Sequence, residues 1–119
     1  MKGNLELPEE QKSELYLKLI RKYGEKIQIT IGIEEASEYQ KELCKFLRGR
    51  GNHDHLAEEI ADALIGIEQM IQLFGLEEPV RRWKHKKLCR LCNDVAPDMV
   101  RFDIDPDGDL AIRFYAEEG

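Results

Sequence analysis

Apolar residues recur through most of the chain at intervals of three and four, the spacing that gathers side chains on one side of a helix. Pro8-Glu9-Glu10 opens the first such stretch, with proline near the first helical position and acids at the positive end of the helix dipole. Leu15, Leu19 and Ile20 follow at helical spacing, and Tyr23-Gly24 supplies a stop, predicting a helix over about residues 8–23.

The next stretch carries two conflicting patterns. Ile27, Ile29, Ile31 and Ile33 alternate with Gln28, Thr30 and Gly32, the mark of a half-buried strand. Residues Glu34 to Leu43 are strongly helix-forming, and no turn signal separates them from the isoleucines. Taken as one helix, Ile29, Ile33, Ala36, Leu43 and Leu47 share a face. A single helix from about 25 to 48 is therefore expected, against a strand over 26–33.

Arg48-Gly49-Arg50-Gly51-Asn52 reads as a loop, with Asn52 or Asp54 available to cap a third helix. Leu56, Ile60, Leu64, Ile67, Ile71 and Phe74 form a continuous stripe that ends at Gly75. A fourth helix starts near Glu77-Glu78-Pro79 and runs through Val80, Trp83, Leu88 and Leu91 to about Val95. Beyond Pro97 the period changes to two. Val100, Phe102 and Ile104 precede Asp105-Pro106-Asp107-Gly108, and Leu110, Ile112 and Phe114 follow it, predicting a hairpin between Met99 and Tyr115. The expected fold is mainly α: a four-helix bundle with a C-terminal β-hairpin. Residues 1–96 form the helical domain, and 97–119 an acidic hairpin extension of it.

Composition narrows the functional classes. Across 119 residues the net charge is −6, which argues against nucleic-acid binding by bulk charge. The surplus is local: residues 94–119 hold eight acids against two bases, while residues 1–93 hold sixteen of each. No apolar run approaches a membrane span, and Met-Lys-Gly-Asn-Leu-Glu-Leu-Pro has no apolar core of a signal segment. Cys44, Cys89 and Cys92 lack the spacing of a disulfide framework and suit reduced thiols, so a cytoplasmic location without membrane attachment is expected.

The charges of the body are arranged in clusters. The second helix carries Glu34-Glu35-x-x-Glu38, and the third carries Glu58-Glu59-x-x-Asp62. Residues three apart lie on the same side of a helix, and the short loop makes these helices antiparallel neighbours. Glu35, Glu38, Glu59 and Asp62 can then converge. On a helical wheel Glu59 and Asp62 fall near Gly66, Met70 and Leu73 rather than on the polar face. Carboxylates so placed raise one another's pKa unless a cation sits among them. Oxygen-only ligands suit Mg²⁺ above all, with Mn²⁺ as a substitute. An exposed acidic face of ordinary helix pairs is the alternative use of the same spacing.

Other metals fit less well. A di-iron bundle needs Glu-x-x-His, and Arg50, Asn52 and Arg82 stand three residues before His53, His55 and His85. Cys89-x-x-Cys92 has no second pair, which favours small apolar helix residues over zinc. Asp103-x-Asp105-x-Asp107-Gly108 copies the start of a calcium loop, but Phe114 stands where its closing glutamate belongs.

The double motif, Glu34-Glu35-x-x-Glu38, twenty intervening residues and Glu59-x-x-Asp62, resembles the signature of the MazG-like all-α nucleoside triphosphate pyrophosphohydrolases. Tyr23-Gly24, Gln28-Ile29, the run Glu58 to Ile65 and Lys84-x-x-Lys87-Leu88-x-Arg90-Leu91 extend the resemblance over about residues 9–95. It implies the all-α pyrophosphatase type of bundle and Mg²⁺-dependent hydrolysis of a nucleoside triphosphate, deoxy or non-canonical, to the monophosphate and pyrophosphate. Glu35, Glu38, Glu59 and Asp62 would be the metal ligands, and Glu34 would orient the attacking water from beside them. Two ions would bridge the phosphate oxygens, and Glu38 is the choice for the carboxylate that takes the water's proton. A related activity on phosphoribosyl-ATP stays open.

Arg81, Arg82, Lys84, Lys86, Lys87 and Arg90 crowd the fourth helix. Lys84 and Lys87 share a face with Val80 and Leu91, suiting contact with a metal-held triphosphate, with Arg90 as a further contact; a solvated charge face is the alternative. Arg48 and Arg50 are additional phosphate candidates. Ala57, Ala61 and Ile65 form a small-residue stripe suited to a subunit contact, and the resemblance implies a homodimer or homotetramer. The competing reading of the whole chain is an inactive helical bundle that binds a nucleotide or a protein partner.

Overall fold

The computed structural model describes residues 6–104, 106–108 and 110–114. Among these the chain is mainly helical, with four helices followed by an antiparallel hairpin, as the expected fold class requires. It divides into two compact units, Met1–Leu76 and Glu77–Gly119.

The first unit holds α1 (Glu9–Tyr23), α2 (Glu25–Leu47) and α3 (His53–Phe74). Glu9 and Glu10 stand in the first turn of α1, Arg21 and Lys22 in its last, each on the favourable end of the dipole. Gly24 breaks the chain between α1 and α2 with φ of 87°, while its N–H still bonds to the Ile20 carbonyl at 2.8 Å. No β-carbon is present there to resist that conformation. Helix α2 then runs unbroken through the alternating isoleucines. Helical propensity beyond Glu34 and packing on α3 prevail over the period-two signal: Ile29, Ile33 and Ala36 line one groove against α3.

The α2–α3 connection is short and closely packed. Gly51 lies against the Phe46 ring, where a β-carbon would overlap it. The Phe46 and His53 rings meet edge to face at 5.2 Å. Asn52 caps α3 by accepting the His55 N–H at 3.0 Å. At the far end Gly75 adopts φ of 63°, and the Gly75 and Leu76 N–H groups return to the Gln72 and Ile71 carbonyls, closing α3 with a Schellman motif. Helix α1 is tied to α3 by polar groups: the Tyr16 hydroxyl donates to Glu68 at 2.6 Å, and Lys12 approaches the same carboxylate at 3.3 Å.

Apolar burial is sparse in this unit. Tyr16 is its buried apolar side chain among the described residues, while Ile33, Leu64 and Ile67 remain more than half exposed. Between α2 and α3 an apolar groove of about 540 Å³ opens, with Met70, Ile71 and Tyr39 in its lining.

The second unit holds α4 (Glu77–Val95), a 3₁₀ turn at Pro97–Met99, and strands β1 (Val100–Ile104) and β2 (Leu110–Phe114). Val100 pairs with Phe114, Phe102 with Ile112 and Ile104 with Leu110, the pairing the alternation predicts. Helix α4 packs on both strands, Cys89 and Val100 are buried in this unit, and His85 meets the Phe114 ring edge to face at 5.6 Å. Asp105, Asp109, Tyr115, Glu117 and Glu118 lie outside the described residues.

Candidate functional site

Two glycines set the register of α2 against α3. A β-carbon built on Gly66 would stand 3.7 Å from the Gly32 Cα, and one built on Gly32 would meet Met70. The helices therefore approach closely at this point. One turn beyond Gly32 stands Glu35, and one turn before Gly66 stands Asp62. A further turn places Glu38 and Glu59 at the corresponding level.

This register brings Glu35, Glu59 and Asp62 together, with one carboxylate oxygen from each within 4.8 Å of the others. Among the described residues these form the single group of three or more thiol, imidazole or carboxylate ligands able to hold an ion. Glu35 and Glu59 are both half-buried. Burial is the main reason that Glu35 is raised above the usual carboxylate range. The charges of Asp62 and Glu59, a hydrogen bond to Asp62 that only protonated Glu35 can donate, and the Glu34 charge add to it. Glu59 is raised for the same reason, desolvation first, then the charges of Asp62, Glu38, Glu58 and Glu42. A cation among these oxygens would relieve both effects.

The four expected ligands divide three to one. Glu38 is exposed and stands at the edge of the cluster, close enough for its charge to act on Glu59. Glu34, also exposed, acts on Glu35 from beside it. Sequence reasoning missed a fifth acid. Glu42 is 6% exposed, its Oε1 accepts from the Lys45 ammonium at 2.8 Å, and its Oε2 is buried without a partner. The signal was available: Glu35, Glu38 and Glu42 follow at i, i+3 and i+7, the continuation of one helix face.

Lys84, Lys87 and Arg90 are exposed on α4 in the second unit. The Lys86 and Lys87 ammonium groups lie 5.4 and 6.0 Å from the centre of the Trp83 ring, within reach of its electron-rich face. His85 Nε2 and Cys89 Sγ approach to 3.6 Å, and no third ligand among the described residues completes a zinc group around them. In the hairpin, the Asp103 carboxylate faces Arg101 at 3.7 Å and Arg113 at 3.9 Å and accepts the Ile104 N–H at 2.9 Å. Those cations oppose calcium at that carboxylate. Comparison of the chain with protein-family models, with curated proteins and with solved structures finds no match.

Proposed function

We propose that the chain is a Mg²⁺-dependent nucleoside triphosphate pyrophosphohydrolase of the MazG-like type. The observation that supports this reading most is the convergence of Glu35, Glu59 and Asp62 from two helices, with Glu38 at the edge. Three half-exposed to half-buried carboxylates with no cationic side chain among them suit a hard divalent ion, Mg²⁺ or Mn²⁺. Glu35, Glu59 and Asp62 would hold it, with Glu38 as a fourth ligand or as the proton acceptor. Such an ion supplies neutralisation of phosphate charge and a more acidic bound water.

The chain's own groups do the rest. Glu38, exposed and with its charge acting on Glu59, would take the proton of a water aimed at the α-phosphorus. Glu34, beside Glu35, would orient that water. The apolar groove runs along α2 and α3 beside the carboxylates; Tyr39 and Ile60, one residue from Glu38 and Glu59, belong to its lining. Lys84, Lys87 and Arg90 would contact the phosphates, and the product pair is a nucleoside monophosphate and pyrophosphate. Exposed Ile33, Leu64 and Ile67, with Ala57 and Ala61 also exposed, favour assembly with a second copy, as a homodimer or homotetramer. The protein would act in the cytoplasm, on free nucleotides.

The test is a panel of nucleoside triphosphates incubated with the protein and Mg²⁺, with products separated. Pyrophosphate and monophosphate are expected. Orthophosphate release overturns the mechanism, and full turnover by Asp62→Asn overturns the site. Nucleotide binding without turnover under every condition favours the inactive binding module instead.

A further inference from the structure

The C-terminal end of α2 gathers cations around a second cavity. Lys41, Lys45, Arg48 and Arg50 line a pocket of about 310 Å³. The backbone brings them there. The Arg48 N–H turns back to the carbonyls of Cys44 and Lys45 at 3.3 and 3.1 Å. Gly49 then takes φ of 73°, and the Arg50 N–H returns to the Lys45 carbonyl at 2.9 Å. Arg50 is thereby folded back over the last turn of α2 rather than carried away toward α3.

Only part of this positive charge is balanced within the protein. Lys45 pairs with Glu42, and the Arg48 Nε leans on the Cys44 carbonyl at 3.4 Å. Lys41 and Arg50 have no ion pair and no side-chain hydrogen bond among the described residues, and both are exposed. Four cations facing one cavity repel one another, and an anion in it removes that repulsion. Arginine and lysine are the side chains that hold phosphate oxygens, arginine by its fork and lysine as a point charge.

Through Lys41 and Lys45 the pocket continues the helix that brings Glu35 to the carboxylate triad. Glu42 connects the two: its carboxylate holds Lys45 on one side, and its charge acts on Glu59 on the other. Along α2 the rise from Glu38 to Lys45 is about 10 Å. The flexible lysine and arginine side chains shorten that gap.

We propose that Lys41, Lys45, Arg48 and Arg50 form a polyphosphate subsite that receives the diphosphate end of the nucleotide and the pyrophosphate it becomes. This assignment rests on the pyrophosphohydrolase reading of the triad. In the reaction the water oxygen bonds to the α-phosphorus while the bond from that phosphorus to the α–β bridging oxygen breaks. The electron pair leaves on the bridging oxygen with pyrophosphate, and the water's proton passes to a carboxylate. Charge accumulates on the departing diphosphate, where the four cations stand. The subsite needs no metal of its own, which separates its test from that of the triad.

The experiment is isothermal titration of the full chain with inorganic pyrophosphate in EDTA. Saturable binding is expected, weaker for orthophosphate. Lys41→Ala combined with Arg50→Ala should weaken pyrophosphate binding at least tenfold, because both side chains face the pocket and neither supports the fold. Lys41→Gln with Arg50→Gln repeats the measurement if the alanine variant loses its circular dichroism spectrum. Asp62→Asn should bind pyrophosphate within twofold of the unmodified chain. Absence of binding in EDTA, equal binding by the folded double variants, or a preference for a single-stranded oligonucleotide over pyrophosphate each overturns the proposal. Loss of turnover with pyrophosphate binding intact counts against the hydrolase reading and leaves the anion site standing.

Discussion

Glu35 and Asp62 come from different helices and offer carboxylate oxygens within 4.8 Å of each other, with Glu59 completing the group. Burial and these neighbours raise Glu35 above its ordinary range. A carboxyl raised in the folded state binds more protons folded than unfolded. Its contribution to stability is therefore present at low pH and is lost as pH rises through the folded-state value. In EDTA, the excess stability of the wild-type chain over Glu35→Gln should shrink as pH rises above the ordinary glutamate value of about 4.3. Mg²⁺ at about 100 times its dissociation constant should return about 2.7 kcal/mol, a rise of about 10 °C in melting temperature. Thermal melts across pH, with and without Mg²⁺, check both. A profile indistinguishable between the two proteins, with no Mg²⁺ response, removes the triad as a cation site.

Glu38 carries the second prediction. It stands outside the triad yet beside Glu59, so its loss should spare the ion more than the chemistry. Glu38→Gln is expected to lower turnover by about a hundredfold or more while Mg²⁺ still raises the melting temperature. Asp62→Asn should lose both. Steady-state pyrophosphate release, measured beside thermal melts, separates the two outcomes. Equal loss of the Mg²⁺ response in Glu38→Gln makes it a ligand rather than the proton acceptor.

Much of this site is legible in the amino-acid sequence. The Glu35–Glu38 and Glu59–Asp62 spacings, the stop at Gly24, the Asn52 cap and the Gly75 termination are local features, and local features are written in adjacent residues. The register was not legible, because it depends on Gly32 meeting Gly66, two residues that mean little until the helices are paired. Glu42 reads as one more surface acid, since nothing in its neighbours announces that its carboxylate is buried. The cationic pocket was half visible in Arg48 and Arg50. Its completion by Lys41 and Lys45 follows from the Arg50 N–H bonding back to Lys45, a backbone event that composition does not disclose.

Tyr16 leads to a prediction about stability alone. Its hydroxyl is buried and donates to Glu68 at 2.6 Å. Burial and that bond push the phenol up to about 12. Above the ordinary tyrosine value the unfolded chain loses this proton while the folded chain keeps it, so the stabilisation is full below about pH 10 and fades toward about pH 12. Tyr16→Phe should cost about 2 kcal/mol at neutral pH, the range for a hydrogen bond to a charged acceptor. Urea unfolding gives the difference, and alkaline difference spectra should show one late-titrating tyrosine that the variant lacks. Titration of every tyrosine near pH 10 would contradict the buried bond.

The closest approach of α2 and α3 yields the last prediction. A β-carbon on Gly66 would lie 3.7 Å from the Gly32 Cα, which is ordinary van der Waals separation. Gly66→Ala therefore fits without moving the helices. Alanine is the better helix former by about 1 kcal/mol, so this variant should be more stable and keep its Mg²⁺ response. Leucine at the same position carries three further carbons into a contact that has room for one. Gly66→Leu should force α2 from α3 at the level one turn from Glu35 and Asp62, abolishing the Mg²⁺-dependent rise in melting temperature while leaving the helical signal in circular dichroism. If Gly66→Leu instead keeps the Mg²⁺ response, the two glycines do not set the register that brings the carboxylates together.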